Sequence, residues 1–183
     1  FPDQSEKNAR HSLRELIYQL RQREVPVHSN DEGVALPSRF VRLDYAEIIN
    51  TGRPSVEQLK AIRGGFLPQY APNHSEAFSE WLEAFRARVT FELCKSLLNE
   101  MSRARSVADW VTTEQLSRAC LALEPLNEAA TLALAESLAL SGSKVTALRL
   151  LDTYMSEVGG ASANLRLPAA VLKSRLGETR TER

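Results

Sequence analysis

Leu13, Leu16, Ile17 and Leu20 recur at i, i+3, i+4 and i+7, the spacing that lines up four side chains on one face of a helix. The pattern predicts an amphipathic helix over residues 9–23, ended within a few residues by Pro26. At about 100° per residue the opposite face carries Lys7, His11, Arg14, Tyr18 and Gln22, with Arg10 and Arg21 on its flank. Next comes VPVHSNDEGVAL, which sets β-prone pieces around Val25–His28 and Val34–Leu36 on either side of a turn rich in Asn, Asp and Gly. That arrangement predicts a short hairpin.

From Asp44 onward the pattern is helical, with breaks at Gly52-Arg53-Pro54, Gly64-Gly65 and residues 68–73. Ser55 and Gln58 have the spacing of a capping box. The most regular stretch is Phe78, Trp81, Leu82, Phe85, Val89, Leu93, Leu97 and Leu98, a helical period kept over about twenty residues. The whole stripe is expected in the core, Trp81 included, so that Trp81→Ala should cost about 3–5 kcal/mol. Residues 107–158 contain a repeat-like element. Leu134, Leu138, Gly142, Ala147 and Leu151 match the spacing of a tetratricopeptide helix pair, with Pro125 at the end of a preceding repeat and small Cys120 at its second packing position. Thr131 stands where such a repeat usually has an aromatic. A last helix is expected over 167–176, started by Pro168.

Composition adds little until charge is read locally. Twenty-three Lys and Arg balance 23 Asp and Glu, so net charge gives no argument for nucleic acid. Between Lys7 and Arg23, however, five basic residues (Lys7, Arg10, Arg14, Arg21, Arg23) face one acid, Glu15, a local net of +4. No run of about 18 apolar residues offers a membrane span, and FPDQSEKN lacks the layout of a secretory signal. A cytoplasmic protein is the expectation. Cys94 and Cys120 lie far apart in apolar helical patterns, which favours buried free thiols over a disulfide or redox pair. His11, His28 and His74 share no ligand spacing, no Walker loop occurs, and RGGF is a glycine pair in a turn. Neither catalysis, a metal nor a cofactor is expected.

ARHSLRELIYQLRQ followed by EGVALP resembles the recognition helix and wing of a response-regulator-type winged-helix DNA-binding domain. FLPQYAPNHSEAFSEWLEAFRARV and CLALEPLNEAATLALAESLALSGSKVTALRLLDTYMSEVG resemble the bacterial transcriptional activator domain of antibiotic-regulator-type activators. The order EWLEAFR, LEPLNEAA, SGSKVTAL carries the specificity of the likeness. The resemblance implies a mainly α fold in which a tetratricopeptide-like helical array follows the recognition helix and β-hairpin wing of a truncated winged helix. Residues 1–43 would be the C-terminal part of the winged-helix domain and 44–183 the activator domain. Such a winged helix has strands and two helices before its recognition helix, whereas this chain starts almost at that helix. The expectation is a fragment that binds DNA poorly and self-associates through the Leu13, Leu16, Ile17 and Leu20 face. Some proteins of this style continue into a nucleotide-binding ATPase and further repeats.

In that setting a helix enters the major groove while the wing lies on neighbouring backbone. Arg14 would take a guanine in a bidentate pair, Lys7, Arg10 and Arg21 would neutralise phosphates, and His11 and Tyr18 would donate to either. Glu15 opposes phosphate. The implied partners are double-stranded DNA for the intact protein and, through the helical domain, protein partners or a second copy; a membrane is not among them. The competing reading is a protein-interaction scaffold of the same fold that no longer binds DNA. A scaffold freed from DNA has no reason to keep Lys7, Arg10, Arg14 and Arg21 together.

Overall fold

The computed structural model describes residues 5–30, 33–71, 75–158 and 166–178, and among these the chain is mainly α-helical. His74 lies outside the described residues. Helix α1 spans Glu6–Gln22, and strands β1 (His28–Ser29) and β2 (Val34–Ala35) follow it. Then come α2 (Asp44–Thr51), α3 (Val56–Ala61), which runs into a 3-10 turn at Ile62–Gly64, and α4 (Glu76–Ser106). Four more helices complete the described chain: α5 (Trp110–Leu123), α6 (Glu128–Leu140), α7 (Lys144–Glu157) and α8 (Leu167–Glu178). Contacts divide the chain into two compact units, Phe1–Leu43 with Ala71–Leu82, and Asp44–Tyr70 with Glu83–Arg183. Among the described residues no helix is long and apolar enough to cross a membrane.

Local chemistry explains where the helices begin. Ser55 and Gln58 form the expected capping box: the Ser55 hydroxyl accepts from the Gln58 N–H, and the Gln58 side chain accepts from the Ser55 N–H. Asp109 caps α5 by accepting from the Thr112 N–H, and Asn127 caps α6 by accepting from Ala130. The Thr112 bonds hold the exposed Asp109 carboxyl below its ordinary range.

The larger unit has two buried clusters. Ile48, Leu59 and Ile62 pack with Val89, Leu93, Leu97 and Met101 of α4, Leu116 and Cys120 of α5, and Ala130 and Ala133 of α6. Leu134 and Leu138 of α6 join Ala147, Leu151 and Tyr154 of α7 and Ala169 of α8 in the second. Helix α6 therefore buries two adjoining sides in the two clusters, and its Ala-rich sequence lets α5 and α7 approach closely. Its buried hydroxyls bond within the helix: Thr131 donates to the Asn127 carbonyl at 2.9 Å and Ser137 to the Ala133 carbonyl at 2.9 Å. On α5, Thr113 and Ser117 do the same with Asp109 and Thr113. These groups can be buried because none is left without a partner.

Two expectations need correction. The regular stripe on α4 is core from Leu82 to Leu97, yet Trp81 is 52% exposed, and its ring lies 5.5 Å from that of Phe78, which is itself only half-buried. Trp81 lies about 100° around the helix from Leu82, at the margin of the stripe. Helix α4 also runs 31 residues, well past the predicted stretch. It ends with Ala108 at φ 57°, while the N–H groups of Ala108 and Asp109 bond the carbonyls of Arg105 and Ala104. This is the glycine-type helix stop built without glycine.

Candidate nucleic-acid interface

All six candidate contact residues lie on α1, and all are exposed: Lys7, Arg10, His11, Arg14, Tyr18 and Arg21. Over its 17 residues α1 is about 25 Å long, and Lys7 and Arg14 are two turns apart on one side, roughly 10 Å along the axis. The helix starts three residues before the predicted position, at Glu6, which the sequence marks only by Ser5 followed by an acid. That acid changes the site. Glu6 Oε1 accepts from Arg10 Nη2 at 2.5 Å, a pair with both side chains largely in solvent.

Arg21 has a different partner. Its Nη2 donates to the Val27 carbonyl at 3.2 Å and to the Ser29 hydroxyl at 3.3 Å, which ties the last turn of α1 to the base of the hairpin. Between them the helix ends with Glu24 at φ 60°, the Val25 N–H bonding the Leu20 carbonyl and the Glu24 N–H that of Arg21. Pro26 then cannot continue the helix. The chain reverses into β1, which pairs antiparallel with β2 in the register His28 with Ala35 and Ser29 with Val34. At the turn the Asn30 N–H donates to the Gly33 carbonyl at 3.0 Å and the Gly33 N–H to Asn30 Oδ1 at 2.9 Å. The strands are shorter than the predicted pieces, and Val27 is buried ahead of β1 instead of pairing within it. Between Asn30 and Gly33 the sequence has two acids, Asp31 and Glu32, which oppose phosphate.

The apolar face of α1 is only partly covered. Ile17 is buried, while Leu13, Leu16 and Leu20 are 42%, 46% and 39% exposed. Lys7, His11, Arg14 and Tyr18 thus form an exposed donor stripe beside a band of exposed leucine, with Arg21 acting as a brace to the hairpin. No group of three or more potential metal ligands occurs among the described residues. Comparison of the chain with protein-family models, with curated proteins and with solved structures finds no match.

Proposed function

We propose that the chain serves a DNA-binding transcriptional activator, with α1 as the recognition helix, the β1–β2 hairpin as its wing, and residues 44–183 as a tetratricopeptide-like bacterial transcriptional activator domain that contacts protein partners. The observation that carries the reading is the exposed stripe Lys7, His11, Arg14 and Tyr18 on a helix followed at once by an antiparallel hairpin braced to it. A helix of this diameter fits the major groove, and a hairpin at its C-terminal end reaches the adjoining backbone. Arg14, midway along the stripe, reads a guanine; Lys7 neutralises a phosphate. His11 and Tyr18 donate to base or backbone. Arg10 reaches phosphate by exchanging its Glu6 partner for one, and Arg21 sets the angle of the wing.

The test is the affinity for a labelled pool of random-sequence duplexes, measured by fluorescence anisotropy. With two to four phosphates neutralised, affinity should fall roughly ten- to a hundredfold between about 50 and 200 mM salt. Lys7→Gln/Arg14→Gln should weaken binding and flatten that slope. For a duplex selected from the pool, Arg14→Ala should cost about 1–3 kcal/mol and relax the preference at one base pair. Absence of binding at the lowest salt, or an affinity indifferent to Lys7 and Arg14, overturns the proposal in favour of a scaffold that no longer touches DNA.

A further inference from the structure

Helix α4 has a second apolar stripe besides the one it buries in the core. Ala87, Phe91, Cys94 and Leu98 recur at i, i+4, i+7 and i+11, along one side of the helix centred roughly 130° around from Val89, Leu93 and Leu97. These four residues line a cavity of about 780 Å³, and they span about 16 Å of the helix axis. Glu124 and Asn127, in the turn between α5 and α6, complete its wall. Phe91 is 64% exposed and Ala87 is exposed, while Leu98 is half-buried and Cys94, a free thiol, is buried. The cavity is therefore open to solvent, and its volume falls in the range of pockets that take small organic molecules.

The charges on the wall decide which kind of molecule fits. Arg86 is fully engaged with Glu83 and with the carbonyls of Phe66, Leu67 and Tyr70. Lys95, at the margin of the stripe, meets Glu92 at 3.7 Å. Glu124 is different. Asn127, whose Oδ1 caps α6 by accepting from the Ala130 N–H, donates from Nδ2 to Glu124 Oε2 at 2.8 Å. The neutral amide positions the carboxylate without cancelling its charge. Of the charged side chains lining the cavity, Glu83, Arg86, Lys95 and Glu124, it alone has no ion-pair partner among the described residues.

We propose that this cavity binds a small amphiphilic amine, its ammonium on the Glu124 carboxylate and its apolar body over Ala87, Phe91, Cys94 and Leu98. A ligand of this kind satisfies both halves of the wall: the cation neutralises Glu124, and the apolar body covers Phe91 and Leu98. An anion of the same shape meets Glu124 without compensation, and a wholly polar molecule leaves the aromatic ring in water. The site uses no residue of α1, so it stands or falls apart from duplex binding. Because the ligand touches both α4 and the α5–α6 turn, its occupancy stabilises the larger unit.

The experiment uses the full chain, isotope-labelled for amide NMR, and three probes on one skeleton: naphthylbutylamine, naphthylbutanol and naphthylbutanoic acid. At neutral pH the amine should shift the amide resonances of Ala87, Phe91, Cys94, Leu98, Glu124 and Asn127. Its affinity should exceed that of the alcohol about fivefold and that of the acid about tenfold or more. Glu124→Gln should remove the amine's advantage over the alcohol and leave the alcohol's own affinity unchanged. Phe91→Ala should weaken all three probes. Both substituted side chains are exposed, and unchanged near-ultraviolet circular dichroism shows that each variant still packs. An acid that binds as tightly as the amine, an amine affinity indifferent to Glu124→Gln, shifts centred elsewhere, or no shift at the solubility limit of the amine would each overturn the assignment. So would shifts of the same residues that grow with protein concentration in the absence of any probe, the mark of a second copy seated in the groove.

Discussion

Arg86 on α4 donates to three backbone carbonyls, Phe66 at 3.2 Å, Leu67 at 2.7 Å and Tyr70 at 2.7 Å, and its remaining nitrogen meets Glu83 at 2.7 Å. The loop it holds has two non-glycine residues in the left-handed region, Leu67 at φ 46° and Gln69 at φ 63°, a conformation that costs about 1–2 kcal/mol per residue. The guanidinium fork offsets that strain by satisfying carbonyls that no helix or strand pairs. Arg86→Ala should therefore lower stability by about 2–4 kcal/mol in urea denaturation, and Arg86→Lys should fall between, since an ammonium cannot fan out to three acceptors. An Arg86→Lys variant as stable as the parent would show that charge alone suffices. Trp81 gives the opposite expectation: with half its surface in solvent, Trp81→Ala should shift the denaturant midpoint by no more than about 1 kcal/mol. A loss of 3 kcal/mol or more, roughly that of a buried aromatic, would contradict its placement. Period alone could not separate these two residues. It located the core positions Leu82, Val89, Leu93 and Leu97, but it ranks a large apolar side chain at the stripe's edge with those at its centre, and it is blind to an arginine whose partners are main-chain atoms sixteen to twenty residues away.

At the scale of elements, legibility followed the chemistry of helix ends. Starts announced by Ser55, Asp109 and Asn127 have side-chain acceptors that bond first-turn N–H groups, and the Ser55 box was readable from its spacing. Stops were readable only where glycine or proline made them. Helix α6 ends on Gly142 at φ 85°, with the N–H groups of Gly142 and Ser143 bonding Ala139 and Leu138. The same bonding ends α1 at Glu24 and α4 at Ala108, residues that carry no stop signal of their own, so the apolar stripe alone does not mark where α4 ends. Because a side chain in the left-handed region costs energy that glycine avoids, Ala108→Gly and Glu24→Gly should each stabilise the chain by about 0.5–1 kcal/mol. Thermal denaturation of each single variant measures this, and a lower midpoint for both would mean that these stops are not strained. The hairpin was legible as a hairpin but not in extent. Arg21, expected on phosphate, also donates to Val27 and Ser29, a contact that depends on the reversal of the chain and therefore has no signature in a helical wheel.

For the whole molecule, a net charge of zero conceals the fact that α1 presents two chemically different faces to solvent. One bears Lys7, His11, Arg14 and Tyr18; the other leaves Leu13, Leu16 and Leu20 between 39% and 46% exposed. Burying what remains of three half-exposed leucines is worth about 2–4 kcal/mol, enough to draw two copies together weakly and far short of the strength of a permanent dimer. The chain should therefore associate reversibly only at about millimolar concentration, and sedimentation velocity over a concentration series that reaches this range should show a weight-average mass that rises with loading. Leu16→Glu/Leu20→Glu should abolish the rise with little loss of stability, because both side chains already face water. Ile17, buried on the same helix, is the contrast, and Ile17→Glu should unfold its unit. Salt separates the two faces in one experiment: raising ionic strength weakens duplex binding through the basic stripe but leaves hydrophobic association intact or slightly stronger. Loss of self-association along with DNA binding as salt rises would show that the copies meet through charge. A chain monomeric throughout, with Leu16→Glu/Leu20→Glu unchanged, would show that the leucine band is simply tolerated in water.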